Sequence, residues 1–248
     1  MPQEGAPSNG GSPPPKPAPG SQAAAQAAAR EAGDGPPPSA DTLAYWEEIY
    51  QDRTGTWDTL YGYEDIRLVL CGLVKAPERA LCRVLHVGCG TSNVTEGLWD
   101  DGFRSICNVD FSEVVIRLMA ARWEERAKGA ATDEEEAKMR SGVQWLTHDI
   151  TDLGAFAGGT FDLVLEKFTF DALLCEVKDD ATSHRGWAAI REMHRVLKPG
   201  AAFVSVAWGE GRRLELLRGG GLFDVEARRL PGEAPQRPLL YLCRKRAG

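Results

Sequence analysis

Between residues 83 and 208, short apolar runs alternate with stretches whose apolar residues return every three or four positions. The runs Val84–Val87, Cys107–Val109, Val143–His148, Thr160–Lys167 and Ala201–Trp208 are bounded by turn residues and too short for helices, which predicts strands. Between them the spacing predicts helices. One begins near Asn93, and one from Ser112 presents Ile116, Met119, Ala120 and Trp123 on a single face. Another carries Ala188, Ile190, Met193, Val196 and Leu197 and stops at Lys198-Pro199-Gly200. Thr160–Lys167 is apolar enough for a strand covered on both faces. This alternation predicts an α/β domain with a doubly wound, mostly parallel sheet. The end differs: Leu222–Leu230 and Pro238–Arg246 flank a turn at Pro231-Gly232, and read as an antiparallel hairpin that brings the sheet to seven strands.

Upstream of the first strand, Asp41 caps a predicted helix over Thr42–Tyr50, the turn 52–56 follows, and Ile66, Leu68, Val69 and Leu73 mark a second amphipathic stretch. Glu124–Arg140 reads as a helix end and a solvated connection, because its charges alternate in sign. The first 39 residues hold ten of the 15 prolines and the run Ala23–Ala29. Such a segment cannot bury enough surface to offset its ordering entropy, so 1–39 is expected to be a disordered tail and 40–248 one domain. The tail has Lys16 and Arg30 but also Glu4, Glu31 and Asp34. It therefore lacks the Arg-rich amphipathic pattern of an organelle address, and a cytoplasmic location is expected, with import through the tail left open.

Net charge is −7 over 248 residues, which leaves no basic footprint for nucleic acid at whole-chain level. No apolar run approaches membrane-spanning length. The six cysteines (71, 82, 89, 107, 175, 243) are scattered without a Cys-x-x-Cys pair, and the four histidines have no metal spacing. No metal site is expected, and His86, inside the first strand, is read as a core histidine.

The chemistry concentrates after the first strand. Gly88 and Gly90 form a turn into a helix, and Asp110 ends the next strand twenty residues past Gly90. Glycine admits a ligand where a Cβ would obstruct it, and a carboxylate at that strand end can accept both hydroxyls of a ribose. A dinucleotide fingerprint asks for glycine or alanine at position 93, where Asn93 stands. With no basic residue in the loop, S-adenosyl-L-methionine, which has no phosphate, suits the turn better. Phe111 is placed against adenine, and the third strand ends in Asp149-Ile150, where a carboxylate can receive the adenine amino group.

With these stations in order, residues 43–246 resemble the class I S-adenosylmethionine-dependent methyltransferases, whose Rossmann-like sheet ends in an antiparallel hairpin. Two further segments narrow the resemblance. Tyr45-Trp46-Glu47-Glu48-Ile49-Tyr50 with Trp57-Asp58-Thr59-Leu60-Tyr61-Gly62-Tyr63, and Leu165-Glu166-Lys167-Phe168-Thr169-Phe170-Asp171-Ala172-Leu173, are similar to motifs of the elongation factor 1-alpha and citrate synthase lysine methyltransferases. The resemblance implies a cofactor site of Trp46, Tyr50, Gly88, Gly90, Asp110, Phe111, Asp149, Ile150 and Lys167, with S-adenosyl-L-homocysteine as product. It implies a protein partner whose lysine is methylated, with Asp171 or Glu166 orienting the ammonium and Phe168, Phe170, Trp57 and Tyr61 as channel walls. Glu176, Asp179 and Asp180 add acidity that would suit a basic substrate surface. Plainer readings stand beside these: core packing for Trp46 and Tyr50, a snorkelling strand-end lysine for Lys167, and a helix N-terminal carboxylate for Asp171. The chain departs from the group at Thr59, where the group has tryptophan, and at Phe168, where it has glycine. Both departures bear on the acceptor, leaving open a small-molecule or other non-lysine acceptor, or a cofactor-binding protein without activity.

Overall fold

The computed structural model describes residues 39–40, 42–52, 61–174, 180–208, 211–231 and 237–246. Residues 1–38 of the tail, Asp41, turn residues 53–56, Trp57, Thr59, Cys175, Glu176, Asp179 and Gly232 lie outside the described residues. In chain order the elements are α1 (Leu43–Asp52), α2 (Tyr63–Leu73), α3 (Ala76–Arg79), β1 (Arg83–Val87), α4 (Val94–Asp100), β2 (Ser105–Asp110) and α5 (Glu113–Lys128). There follow α6 (Asp133–Gly142), β3 (Val143–Thr147), β4 (Phe161–Lys167), α7 (Thr169–Leu173), α8 (Asp180–Val196) and β5 (Leu197–Ala207). The chain continues with α9 (Gly211–Arg218), a single 3-10 turn, β6 (Phe223–Arg229) and β7 (Leu239–Lys245).

The seven strands form one sheet in the order β3-β2-β1-β4-β5-β7-β6. β1 pairs in parallel with both β2 and β4, and β7 lies antiparallel between β5 and β6. Strand alternation divides the core into two layers. Val84, Ile106, Leu163, Leu165 and Val204 point to the face covered by Ile66 and Leu70 of α2, Leu98 of α4 and Trp123 of α5. Leu85, Val87, Val109, Val164 and Phe203 point to the other, under Ile190 and Met193 of α8 and Leu217 of α9. The order reverses between β1 and β4, and a crevice opens beyond the carboxyl ends of strands at such a point.

Three details differ from expectation. Glu124–Arg140 is not merely a helix end and a connection. Its second half is the separate helix α6, capped by Thr132, whose hydroxyl accepts from Glu135 N at 3.2 Å. That helix forms because Met139 is buried and its charges pair at i,i+4, Lys138 with Glu134 and Arg140 with Glu136. Lys198-Pro199-Gly200 does not separate helix from strand; α8 ends at Val196, and these residues lie inside β5, where the register with β4 shifts. Leu68 is 83% exposed, since Ile66 and Leu70 carry the buried stripe of α2. At the sheet's outer edge, β6 buries Phe223 but leaves Asp224, Glu226, Arg228 and Arg229 exposed.

Candidate active site

β1 runs into Gly88-Cys89-Gly90, and both glycines take positive φ (59° and 50°). Cys89 N donates to Val109 O at 3.1 Å, and His148 N donates to Asp110 O at 2.9 Å, which ties the ends of β1, β2 and β3 together. Asp110 stands at the centre of this junction. Its two carboxylate oxygens accept from Gly90 N and Ser112 N, both at 3.0 Å. The carboxylate thus keeps acceptor capacity for a further donor. Burial pushes the Asp110 carboxyl up from an ordinary 3.8 to about 6, although the N–H groups of Ser112, Gly90 and Phe111 oppose it. Burial likewise raises the Cys89 thiol well above its ordinary range, so it stays protonated in the turn.

One cleft opens here. Gly88, Gly90 and Asp110 lie on its floor side, and Phe111, Asp149 and Ile150 line it at the ends of β2 and β3. Lys167, Phe168 and Thr169 bound it after β4, and Trp46 and Tyr50 bound it from α1. Trp46 stacks on Tyr50 with centroids 5.7 Å apart and donates its indole N–H to Ala40 O at 2.6 Å. Tyr50 also packs with Cys89, Val115, Ile116 and Met119, so both core packing and cleft lining describe it. Its hydroxyl lies 3.2 Å from where a Cβ on Gly90 would stand, so only glycine leaves that approach free. All nine residues of the expected cofactor site therefore border one space.

The two expected catalytic carboxylates do not border it. Glu166 is fully buried behind the cleft: Oε2 accepts from Thr169 N (2.9 Å) and Phe170 N (3.3 Å), and Oε1 from Ser205 Oγ and Arg213 Nη1. A carboxylate with four donors in a closed interior cannot also meet an incoming ammonium. Asp171 lies in the first turn of α7, 3.4 Å from Arg213 Nη2. Burial raises its carboxyl to about 6, against the pull of Arg213 and with a further push from Glu166. Phe170 is also withdrawn: it is fully buried against Phe203 and beneath the Arg213 guanidinium. Phe168 does reach the cleft, stacked on Trp208 at 5.4 Å, and Tyr61 meets Trp208 edge-on.

Sequence reasoning missed Thr169 and Arg185. Thr169 donates its hydroxyl to Val87 O and Gly88 O, both at 3.2 Å. Its signal was its place two residues after Lys167. Arg185 arrives from α8 and pairs with Asp149 at 3.4 Å, a contact between distant segments that no local pattern announces. His86 is the expected core histidine, its Nδ1 3.2 Å from Asn108 Oδ1, which also accepts from Thr95 Oγ1 at 2.7 Å. Among the described residues no group of three His, Cys, Asp or Glu is arranged to hold a metal ion, and no helix is long and apolar enough to cross a membrane.

Residues 85–205 match the family model described as a methyltransferase domain. Over these residues the chain is similar to that family. The match spans β1 to β5 and so contains the glycine turn, Asp110, Asp149 and Lys167. The chain is 32% identical over 172 residues to the mouse eEF1A lysine and N-terminal methyltransferase, covering 69% of the chain and 22% of that relative. It is 33% identical over 171 residues to the bovine EEF1A lysine methyltransferase 4, covering 66% of the chain and 60% of that relative. It thus spans only part of the length of either. Among solved structures, a TehB-like SAM-dependent methyltransferase from Corynebacterium glutamicum superposes with a TM-score of 0.54 at 17% identity, covering 83% of this chain and all of the other. The cyclase SpnF superposes equally well, at 0.54 and 18% identity, covering 84% and 94%. The shared scaffold is therefore the class I methyltransferase fold, and the reaction has to be argued from the site.

The donor set fits the cofactor that the family implies. Asp110 has acceptor capacity left for a ribose hydroxyl, and Phe111 and Ile150 line the same cleft. Among the described residues, Lys167 and Arg185 are the cations on the cleft, and Arg185 faces Asp149.

Proposed function

We propose that this chain methylates a lysine side chain of a protein substrate, using S-adenosyl-L-methionine and releasing S-adenosyl-L-homocysteine. The observation that carries the cofactor reading is Asp110, a buried carboxylate held on two backbone N–H groups beside the glycine turn with acceptor capacity in reserve. It accepts the ribose hydroxyls. Phe111 and Ile150 flank the adenine, and Asp149 shares itself between Arg185 and the adenine amino group. Gly88 and Gly90 underlie the amino-acid end, Lys167 meets its carboxylate, and Trp46 with Tyr50 closes the near side.

When bound, the cofactor supplies a methyl group on a sulfonium, open to in-line attack. The chain's residues supply position and exclusion of water. A lysine acceptor must be neutral, which costs roughly 4–5 kcal/mol near neutral pH from an unperturbed pKa of about 10.4. With Glu166 and Asp171 turned to Arg213, the proton leaves to solvent as the amine is desolvated against Phe168. The names of the relatives, which refer to lysines of eEF1A, support a protein acceptor. The five described cysteines are free, which suits a reducing, cytoplasmic setting.

Phe168 favours a second reading. Its ring occupies cleft space that the resembling group leaves to a glycine, which suits a smaller acceptor. Tritiated S-adenosyl-L-methionine incubated with purified protein and cell extract separates the two. A discrete labelled protein band, lost with Asp110→Ala, is expected. Label confined to the small-molecule fraction would transfer the assignment to the second reading.

A further inference from the structure

Arg213 of α9 is 4% exposed and reaches under the sheet to the end of β4. Its Nη1 donates to Glu166 Oε1 at 2.5 Å and to Ser205 Oγ at 2.7 Å. The other oxygen of Glu166 receives the first two N–H groups of α7, from Thr169 and Phe170. α7 in turn sets Thr169, whose hydroxyl grips the carbonyls of Val87 and Gly88. The contact is close: a Cβ on Gly88 would stand 2.2 Å from the Thr169 side chain. Between Glu166 and Thr169 lies Phe168, the one non-glycine residue with positive φ (63°) among those described. Such a conformation persists only where its surroundings over-determine it. Here the Phe168 N–H is held by Val206 O at 2.9 Å, and Glu166 clamps the residues that follow.

We infer that Glu166 and Arg213 are positioning residues that hold the amino-acid end of the cofactor site. They touch no part of the cleft, yet through α7 and Thr169 they fix its two walls there, Lys167–Thr169 on one side and the Gly88 turn on the other. The inference rests on the cofactor reading above. It also places α9 in communication with the cleft, because whatever displaces Arg213 loosens the grip on Gly88, and by linkage an occupied cleft holds Arg213 in place.

The test uses two ligands that differ only at that end: S-adenosyl-L-homocysteine, and 5′-methylthioadenosine, which lacks the amino-acid portion. The triple variant Glu166→Gln/Asp171→Asn/Arg213→Met removes the three coupled charges together, which avoids stranding any of them unpaired. Calorimetry on the full chain should show S-adenosyl-L-homocysteine bound at least about tenfold more weakly and 5′-methylthioadenosine within about threefold of the parent. Glu166→Gln alone keeps the shape and one acceptor oxygen, and should shift the ratio the same way by a smaller factor. A merely structural role would weaken both ligands alike. Equal weakening, or none in the folded variants, overturns the inference. A parent protein that binds neither ligand overturns the cofactor reading itself, a separate and recognisable outcome.

Discussion

Replacing Asp110 with asparagine should weaken the cofactor and relieve the fold, in a pH-dependent way. Its carboxyl is 4% exposed and pushed up from 3.8 to about 6, so the folded chain prefers it protonated more than the unfolded chain does. Its contribution to stability is therefore fully present below about pH 4 and is lost as pH rises through about 6. A displacement of about two pH units corresponds to roughly 3 kcal/mol, of which about 2 kcal/mol is lost between about pH 4.5 and pH 8. Asparagine does not titrate. It also presents one amide NH₂ to the pair Gly90 N and Ser112 N, a mismatch costing about 1–3 kcal/mol at every pH. The stability of Asp110→Asn relative to the parent should thus rise by about 2 kcal/mol between those two pH values, whatever its starting offset. Affinity for S-adenosyl-L-homocysteine at about pH 8 should meanwhile fall by roughly 1.5–3 kcal/mol, the worth of hydrogen bonds to a charged acceptor. Urea titrations at the two pH values and calorimetry check both parts. A pH-independent stability offset with unchanged affinity would refute the assignment of Asp110 as a strained ribose acceptor.

Other substitutions probe the neighbouring geometry. Gly88→Ala combines a positive φ with a clash on Thr169, and should cost about 1–3 kcal/mol in urea unfolding and weaken cofactor binding; parent-like behaviour would contradict the tight Thr169 contact. Phe168→Gly relieves a left-handed phenylalanine but empties the stack on Trp208, and should change which extract components become labelled while 5′-methylthioadenosine affinity stays within about threefold. An unchanged labelling pattern would remove Phe168 from the acceptor wall. Tyr63→Phe deletes a 2.7 Å hydrogen bond to Asp101, whose carboxyl Arg67 holds well below the usual range. It should cost about 1–2 kcal/mol in thermal unfolding and leave cofactor affinity untouched.

The parallel strands and the terminal hairpin were legible because a strand buried on both faces is apolar throughout, as in Leu163–Leu165, and because two apolar runs at the end of the chain follow one another without an intervening helical pattern. The glycine turn and Asp110 were legible for a different reason: backbone approach and ribose recognition demand particular residue types at a set distance along one βαβ unit. The buried surroundings of Glu166 were not legible. A carboxylate at a strand end looks the same in sequence whether it faces a cleft or a buried cation, and the cation, Arg213, lies 47 positions from Glu166. Helix α6 was missed although Thr132 with Glu135 three residues on is a capping pattern, since its high charge density masked the single buried residue Met139.

The charged edge strand β6 has a bearing on how this chain behaves in crowded solution. A sheet edge offers unpaired backbone donors and acceptors to any passing strand, and long apolar edges are templates for aggregation. Asp224 and Glu226 followed by Arg228 and Arg229 put both signs along this one, with Arg228 paired to Glu226 and Arg246 to Asp224. A strand added there would have to strip water from both pairs and find matching charges of its own. The hairpin that completes the sheet thus also ends it.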